Sequence, residues 1–295
     1  MMNRRTFIQK SGALTLGAAL ATPIASAANN PVPLKISLAQ WTINKELFSG
    51  KIDNLDFAKV AAEHGIHAVE YVNQFFMDRT TDIAYMREMK TRAGDLGVKS
   101  LLIMCDAEGN IGDPDGRLRS QAIENHRKWI DAAVLLGCHS IRVNAYSEGT
   151  WDEQAKLVAD GLARLTAIGE DHGINVIVEN HGGYSSHPDW LLAVMKKVDH
   201  PMCGTLPDFG NFRIDDSTSY DSYEGTRKLM PWAKGVSVKD RVWNHHHNRS
   251  DLDYTRMLKI VLNSGFEGYC GIEHGGYEGL NAARRSLEKA FAALA

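Results

Sequence analysis

The chain has 295 residues and a formal charge of −3, with 33 Lys and Arg against 36 Asp and Glu. No basic cluster marks a nucleic-acid face, and no apolar run is long enough to span a bilayer, so nucleic acid and membrane are excluded as partners. The four cysteines, Cys105, Cys138, Cys203 and Cys270, are scattered and form no C-x-x-C pair, so buried free thiols are expected and a cysteine zinc site is not.

Residues 1–27 read as an export signal. Arg4-Arg5 precedes Thr6 and Phe7, a mild apolar run covers 13–21, and Ala25-Ser26-Ala27 has the small-x-small form of a cleavage site. The twin arginine resembles a Tat-type signal, which implies a periplasmic or otherwise exported product. Residues 28–295 are then one domain.

From there a local pattern repeats. A strand at 35–39 leads to a helix that stops at His64-Gly65, and a strand at 68–71 follows. The next helix stops at Leu96-Gly97, before a strand at 100–105. A helix with Ala122, His126, Trp129, Ala133 and Leu136 on one face ends at Gly137, and a strand at 140–144 follows. A helix striped by Val158, Leu162, Leu165 and Ile168 ends at Gly173, ahead of a strand at 175–179. Pro188 opens another helix, and strands at 204–207, 235–238 and 269–272 complete the series, the last after Ser264-Gly265. Glycine just past a helix takes the left-handed conformation that ends it. Gly65, Gly97, Gly137 and Gly173 are 32, 40 and 36 residues apart, the length of one strand-plus-helix unit. Eight such units in one domain predict an α/β fold, a (β/α)8 TIM barrel. An open doubly wound sheet is the alternative, weakened by the lack of a G-x-G-x-x-G turn after the first strand.

In such a barrel the C-terminal strand ends build the active site. Here they carry Gln40, Trp41, Glu70, Asn73, Asp106, Asn144, Glu179, His181, Asp208, Asn211, Lys239, Asp240, Glu273 and His274. Glu179, Asp208 and Glu273 end apolar runs and would converge in the mouth, where carboxylates repel one another unless paired or bound to a cation. One divalent ion, Mn, Co, Zn or Mg, held by these three would resolve the conflict. The structural alternative is that they form salt bridges with Lys239 or Arg142.

Ile177-Val178-Glu179-Asn180-His181-Gly182-Gly183, Pro207-Asp208-Phe209-Gly210-Asn211, Val236-Ser237-Val238-Lys239-Asp240 and Gly271-Ile272-Glu273 fall in order at barrel spacing. Together they resemble the xylose isomerase-like TIM barrels, in particular the sugar phosphate isomerase/epimerase group, over nearly all of residues 28–295. The resemblance implies a divalent metal on Glu179, Asp208 and Glu273, with the two glutamates also acting as acid and base on a carbonyl sugar. Two positions depart from the family pattern: Ser237 stands where its histidine ligand is usual, and Asn211 where an Asp-x-x-His motif has its histidine.

The expected enzyme is a metal-dependent sugar isomerase or epimerase that moves a proton next to a carbonyl, on an unphosphorylated sugar or keto-sugar. Glu179, Glu273 and Lys239 are the expected catalytic residues, and His181, Trp41, Glu70 and Asn144 would bind the substrate, Trp41 as a stacking platform. A metal-dependent lyase or hydrolase of 3-keto-glycosides and a non-catalytic sugar-binding protein are the alternatives. A metal-dependent nuclease would need more inward histidines and a basic groove. His245-His246-His247 reads as part of a solvated polar loop, with one inward imidazole as the alternative. The expected partner is a small carbohydrate; a homo-oligomer is left open.

Overall fold

Each inward-facing residue of this chain is placed by strand alternation, so the sheet and its register decide where the polar groups go. A computed structural model describes residues 35–294. The expected export segment, 1–27, lies outside the described residues. The strands are β1 Lys35–Ala39, β2 Ala68–Val72, β3 Lys99–Met104, β4 Ser140–Val143, β5 Asn175–Glu179, β6 Cys203–Leu206, β7 Val236–Val238, β8 Arg241–Trp243, β9 Arg249–Asp251 and β10 Tyr269–Ile272. The helices are α1 Asn44–Phe48, α2 Phe57–Glu63, α3 Ile83–Asp95, α4 Gly116–Leu136, α5 Trp151–Asp171, α6 Pro188–Val198, α7 Ser222–Leu229, α8 Tyr254–Asn263 and α9 Gly276–Ala292.

Eight strands form one parallel sheet in the order β6-β5-β4-β3-β2-β1-β10-β7. Its two ends meet through the parallel bridges Thr205↔Ala233 and Asp208↔Ser237. Phe209 N donates to Ser237 O at 3.0 Å and Ser237 N to Pro207 O at 2.9 Å, so the circle closes between β6 and β7. The expected single-domain (β/α)8 barrel is therefore present, with α2 to α9 each following a barrel strand. The glycine stops behave as expected: Gly65, Gly97, Gly137, Gly173 and Gly265 all have positive φ, from 65° to 82° for the first four in the chain and 76° for the last.

The outward residues of the strands, such as Leu38, Tyr71, Ile141, Val176, Val178, Val236 and Ile272, join the helices in the larger apolar cluster. Inside the circle Ala39, Val72, Leu102, Met104, Ile177 and Leu206 make a second, smaller one. The same inward set carries Ser37, Glu70, Ser140, Arg142, Glu179 and Ser237, all buried. All four cysteines are buried and free, as expected.

The segment expected as a polar loop is partly ordered structure. β8 and β9 pair antiparallel as a hairpin over the barrel mouth, with Arg241↔Asp251 and Trp243↔Arg249 in register. His245, His246 and His247 are exposed at its tip. Among the described residues no helix is long and apolar enough to cross a membrane.

Candidate metal centre

β5 is apolar until its last residue. Val176, Ile177 and Val178 are fully buried, and Glu179 ends the strand on its inward side with 1% exposure. Asn180 then ties this strand end to the next: its amide donates to Asp208 O at 2.9 Å and accepts from Asp208 N at 2.8 Å. Asp208 Oδ1 in turn takes the N–H groups of Gly210 at 2.7 Å and Asn211 at 2.9 Å, a side-chain-capped turn. That leaves Asp208 Oδ2 facing the barrel axis. Gly210 is required here by close approach: a Cβ on it would lie 2.9 Å from both Arg241 O and Lys239 Cγ. Asn211 closes the ring by donating to Glu179 Oε1 at 3.0 Å.

On the other side, alternation along β7 and its continuation turns Ser237 and Lys239 inward together. Ser237 Oγ lies 3.1 Å from Asp208 Oδ2 and 2.7 Å from Glu273 Oε2, and its one proton can serve only one of them at a time. Lys239 Nζ lies 2.6 Å from Glu273 Oε1 and 3.2 Å from Asp208 Oδ2. Arg142, 4% exposed, lies between Asp106 Oδ1 at 2.7 Å and Glu179 Oε2 at 2.9 Å. Part of the mutual repulsion is already offset within the chain, as the salt-bridge alternative has it: Arg142 and the half-buried Lys239 stand among the carboxylates.

The charge is not cancelled. Glu179, Asp208, Glu273 and Asp106 face Lys239 and Arg142, four acids against two bases. Glu179 and Glu273 respond in opposite directions. Burial pushes the Glu179 carboxyl well above its ordinary range, against the pull of Arg142. Burial acts the same way on Glu273, but Lys239 and the Ser237 hydroxyl outweigh it and hold that carboxyl below its ordinary value. The Lys239 ammonium is itself held above its ordinary range, because Asp208 and Glu273 overcome its own desolvation.

The donor set suits one hard divalent ion. Glu179, Asp208 and Glu273 each offer an oxygen, all within 4.8 Å of one another. Glu179 Oε2 is buried without a hydrogen bond, because the nearby Arg142 Nε–H is not aimed at it. A buried acceptor oxygen left without a hydrogen bond is costly, and it is a ligand atom ready for a cation.

Of the other expected site residues, Trp41, Asn144 and His181 line a cavity of about 310 Å³ over Glu273 at the mouth, with Arg142 and Tyr146 among its walls. Trp41 packs edge-on against Phe48, with ring centroids 5.9 Å apart, and Asn144 donates to Asp106 Oδ1 at 2.8 Å. His181 Nδ1 is 3.0 Å from the Tyr146 hydroxyl. Glu70 is elsewhere. It is 1% exposed inside the barrel, hydrogen-bonded by Ser37 Oγ at 2.6 Å, and packed where a Cβ on Gly271 would be 2.5 Å from its carboxylate. The expected hydroxyl-binding role is corrected by the strand length: β2 continues through Val72, which leaves Glu70 two residues below the strand end. Arg142 was visible only as a salt-bridge partner; the available signal was an arginine inside the apolar run Ile141-Arg142-Val143. The triple histidine has no place in the centre; His247 Nδ1 instead accepts from Ser219 N at 3.1 Å.

No curated protein sequence matches the chain. Among solved structures, 3-keto-D-glucoside 4-epimerase, YcjR, from E. coli in apo form superposes with a TM-score of 0.66 at 17% identity, over 88% of this chain and 100% of its own. A D-tagatose 3-epimerase-like protein does so with a TM-score of 0.70 at 19% identity, over 88% and 98%. A xylose isomerase-like TIM barrel protein from Mycobacterium smegmatis, in complex with magnesium, gives 0.64 at 17% identity, over 88% and 96%. At these identities the likeness is one of fold. The family profile described as "Xylose isomerase-like TIM barrel" matches residues 58–294, most of the chain. The chain belongs to the xylose isomerase-like TIM barrel family.

Proposed function

We propose that the chain is a divalent-metal-dependent sugar isomerase or epimerase that moves a proton next to a carbonyl, on an unphosphorylated sugar or keto-sugar. The observation that carries this is the convergence of Glu179, Asp208 and Glu273 within 4.8 Å beneath a cavity walled by Trp41 and polar side chains. Glu179, Asp208 and Glu273 would hold the ion. When bound, it would supply Lewis acidity to vicinal sugar oxygens. Glu273, held ionised by Lys239, takes the proton; Glu179 is the second carboxyl of the centre, available to return one. Lys239 keeps Glu273 anionic and opposes charge developing on substrate oxygen. Trp41 offers a ring face, and Asn144 and His181 offer groups for sugar hydroxyls. The related folds include proteins named for 3-keto-D-glucoside and D-tagatose epimerisation, which favours a keto-sugar. The expected export signal favours an unphosphorylated one.

The test is solvent exchange. Chelator-treated protein, reloaded singly with Mn, Co, Zn or Mg, is incubated in D2O with free ketoses and 3-keto-glycosides. Deuterium should enter the carbon beside the carbonyl with at least one ion, and Glu273→Gln should abolish this. Release of an aglycone would mark the lyase alternative. Sugar binding without exchange under any ion would leave a binding protein in place of an enzyme.

A further inference from the structure

The barrel mouth has two chambers. The inner one, about 310 Å³, is walled by the ends of β1 to β5 and β10 and has Glu273 in its lining. The outer one, about 410 Å³, lies over the ends of β5 to β7. His181 lines both, and Asn211, which lines the outer chamber, donates to Glu179 in the centre. The two chambers therefore adjoin at His181. Each chamber alone is near the lower end of ligand-pocket volumes, which run roughly 300–1,000 Å³. One sugar ring accounts for the inner chamber and leaves the outer to a second group.

The outer chamber is an open groove between two braced walls. One wall is the β8–β9 hairpin, an insertion into the repeating strand-helix unit. It is fixed by Trp243 N donating to Ser222 Oγ at 2.9 Å, Leu252 N to Asp240 O at 2.8 Å and Asp253 N to the Tyr223 hydroxyl at 2.9 Å. The opposite wall is the loop after β6, braced by the antiparallel bridge Arg213↔Ser219 and by Arg213 Nη2 to Asp216 Oδ1 at 2.6 Å. These walls present Trp243, half-buried and with the Arg249 guanidinium 5.8 Å from its ring centroid, together with the polar side chains of Asn211, Arg213, Asp215 and Asp216. An aromatic body beside planar carboxylate, amide and guanidinium groups suits a hydroxylated ring, which offers C–H faces for stacking and hydroxyls for hydrogen bonds.

Resting on the sugar-enzyme reading above, we infer that the substrate is of disaccharide size: a keto-sugar in the inner chamber carries a second sugar ring, through its glycosidic oxygen, into the outer chamber against Trp243. The experiment is calorimetry on the metal-loaded protein with a 3-keto-disaccharide and the matching methyl 3-keto-glycoside. Binding is read independently of turnover, so loss of the catalytic reading and loss of this one are separable. The disaccharide should bind about tenfold tighter than the methyl glycoside, a difference of about 1.4 kcal/mol. Trp243→Ala should bring the two dissociation constants to within about threefold of each other. Arg213→Ala, at an exposed position that leaves the core untouched, should narrow the ratio in the same direction. Equal affinities in the unaltered protein, or a ratio that survives both substitutions, would overturn the inference.

Discussion

Lys239 shows how one side chain can serve two purposes. Its ammonium is the nearest cation to Asp208 and Glu273, two of the three residues that would hold a metal. Lys239→Met keeps the length and removes the charge. We expect turnover to fall by about a hundredfold or more, the scale of a lost electrostatic or acid–base contact. Divalent-ion affinity, measured by calorimetry, should rise, because two carboxylates lose a competitor. Weaker ion binding by the variant would show instead that the lysine organises the ligands. The inward facing of Lys239 was legible from its position two residues after Ser237. The Arg142 bridge to Glu179 was legible only as the salt-bridge alternative, and its reach to Asp106 was not legible, because the bridge joins residues 36 or more positions apart across three strands. Glu70 was misplaced for a local reason: Tyr71 and Val72 extend β2, and a strand end misjudged by one residue moves an inferred mouth residue into the interior.

At the scale of elements, the turns after β6 and β7 are fitted together without clearance. The methyl group of Gly210→Ala would meet Arg241 O and the Lys239 stem at 2.9 Å, so one turn must shift. The expected cost is about 1–3 kcal/mol of stability, as for other overpacked sites. Thermal unfolding and divalent-ion calorimetry should both register the change; an unaltered melting temperature together with unaltered ion affinity would count against tight coupling of the two turns. The alternation of helix, glycine and strand was readable because each glycine stop is a local event with a local cause. The β8–β9 hairpin was not, because Asn244 to Asn248 and the three histidines between them look like a solvated loop, and its pairing is supported by tertiary hydrogen bonds to α7 and its flanks.

For the whole molecule, carboxyls shifted in opposite directions set opposing trends with pH, Glu70 and Asp106 among them. Burial raises Glu70 to about 8, with Ser37 pulling the other way and Glu273 adding to the rise. The folded state therefore holds a proton that the unfolded chain releases above about 4.5, and stability falls as pH climbs from about 4.5 to 8. The slope from this group approaches about 1.4 kcal/mol per pH unit. Burial works to raise Asp106 as well, but Arg142 and Asn144 overcome it and hold the group at about 2, so its contribution is present above 3.8 and is lost as pH falls toward 2. Urea unfolding at pH 5, 6.5 and 8 should show the unaltered protein losing stability with rising pH and Glu70→Gln losing less. Parallel curves for the two proteins would remove Glu70 as the source.

The closure of the circle at Asp208↔Ser237 has a further consequence. The seam of this barrel and its centre of charge are the same few atoms. Any cation that draws Asp208, Glu273 and Ser237 together also staples the β6 end of the sheet to the β7 end. A replacement at Asp208 or Ser237 therefore alters the closure of the barrel and the charge of the centre together. Lys239 and Ser237 reconcile the two demands from within the chain, since they hold the seam with groups that cannot dissociate.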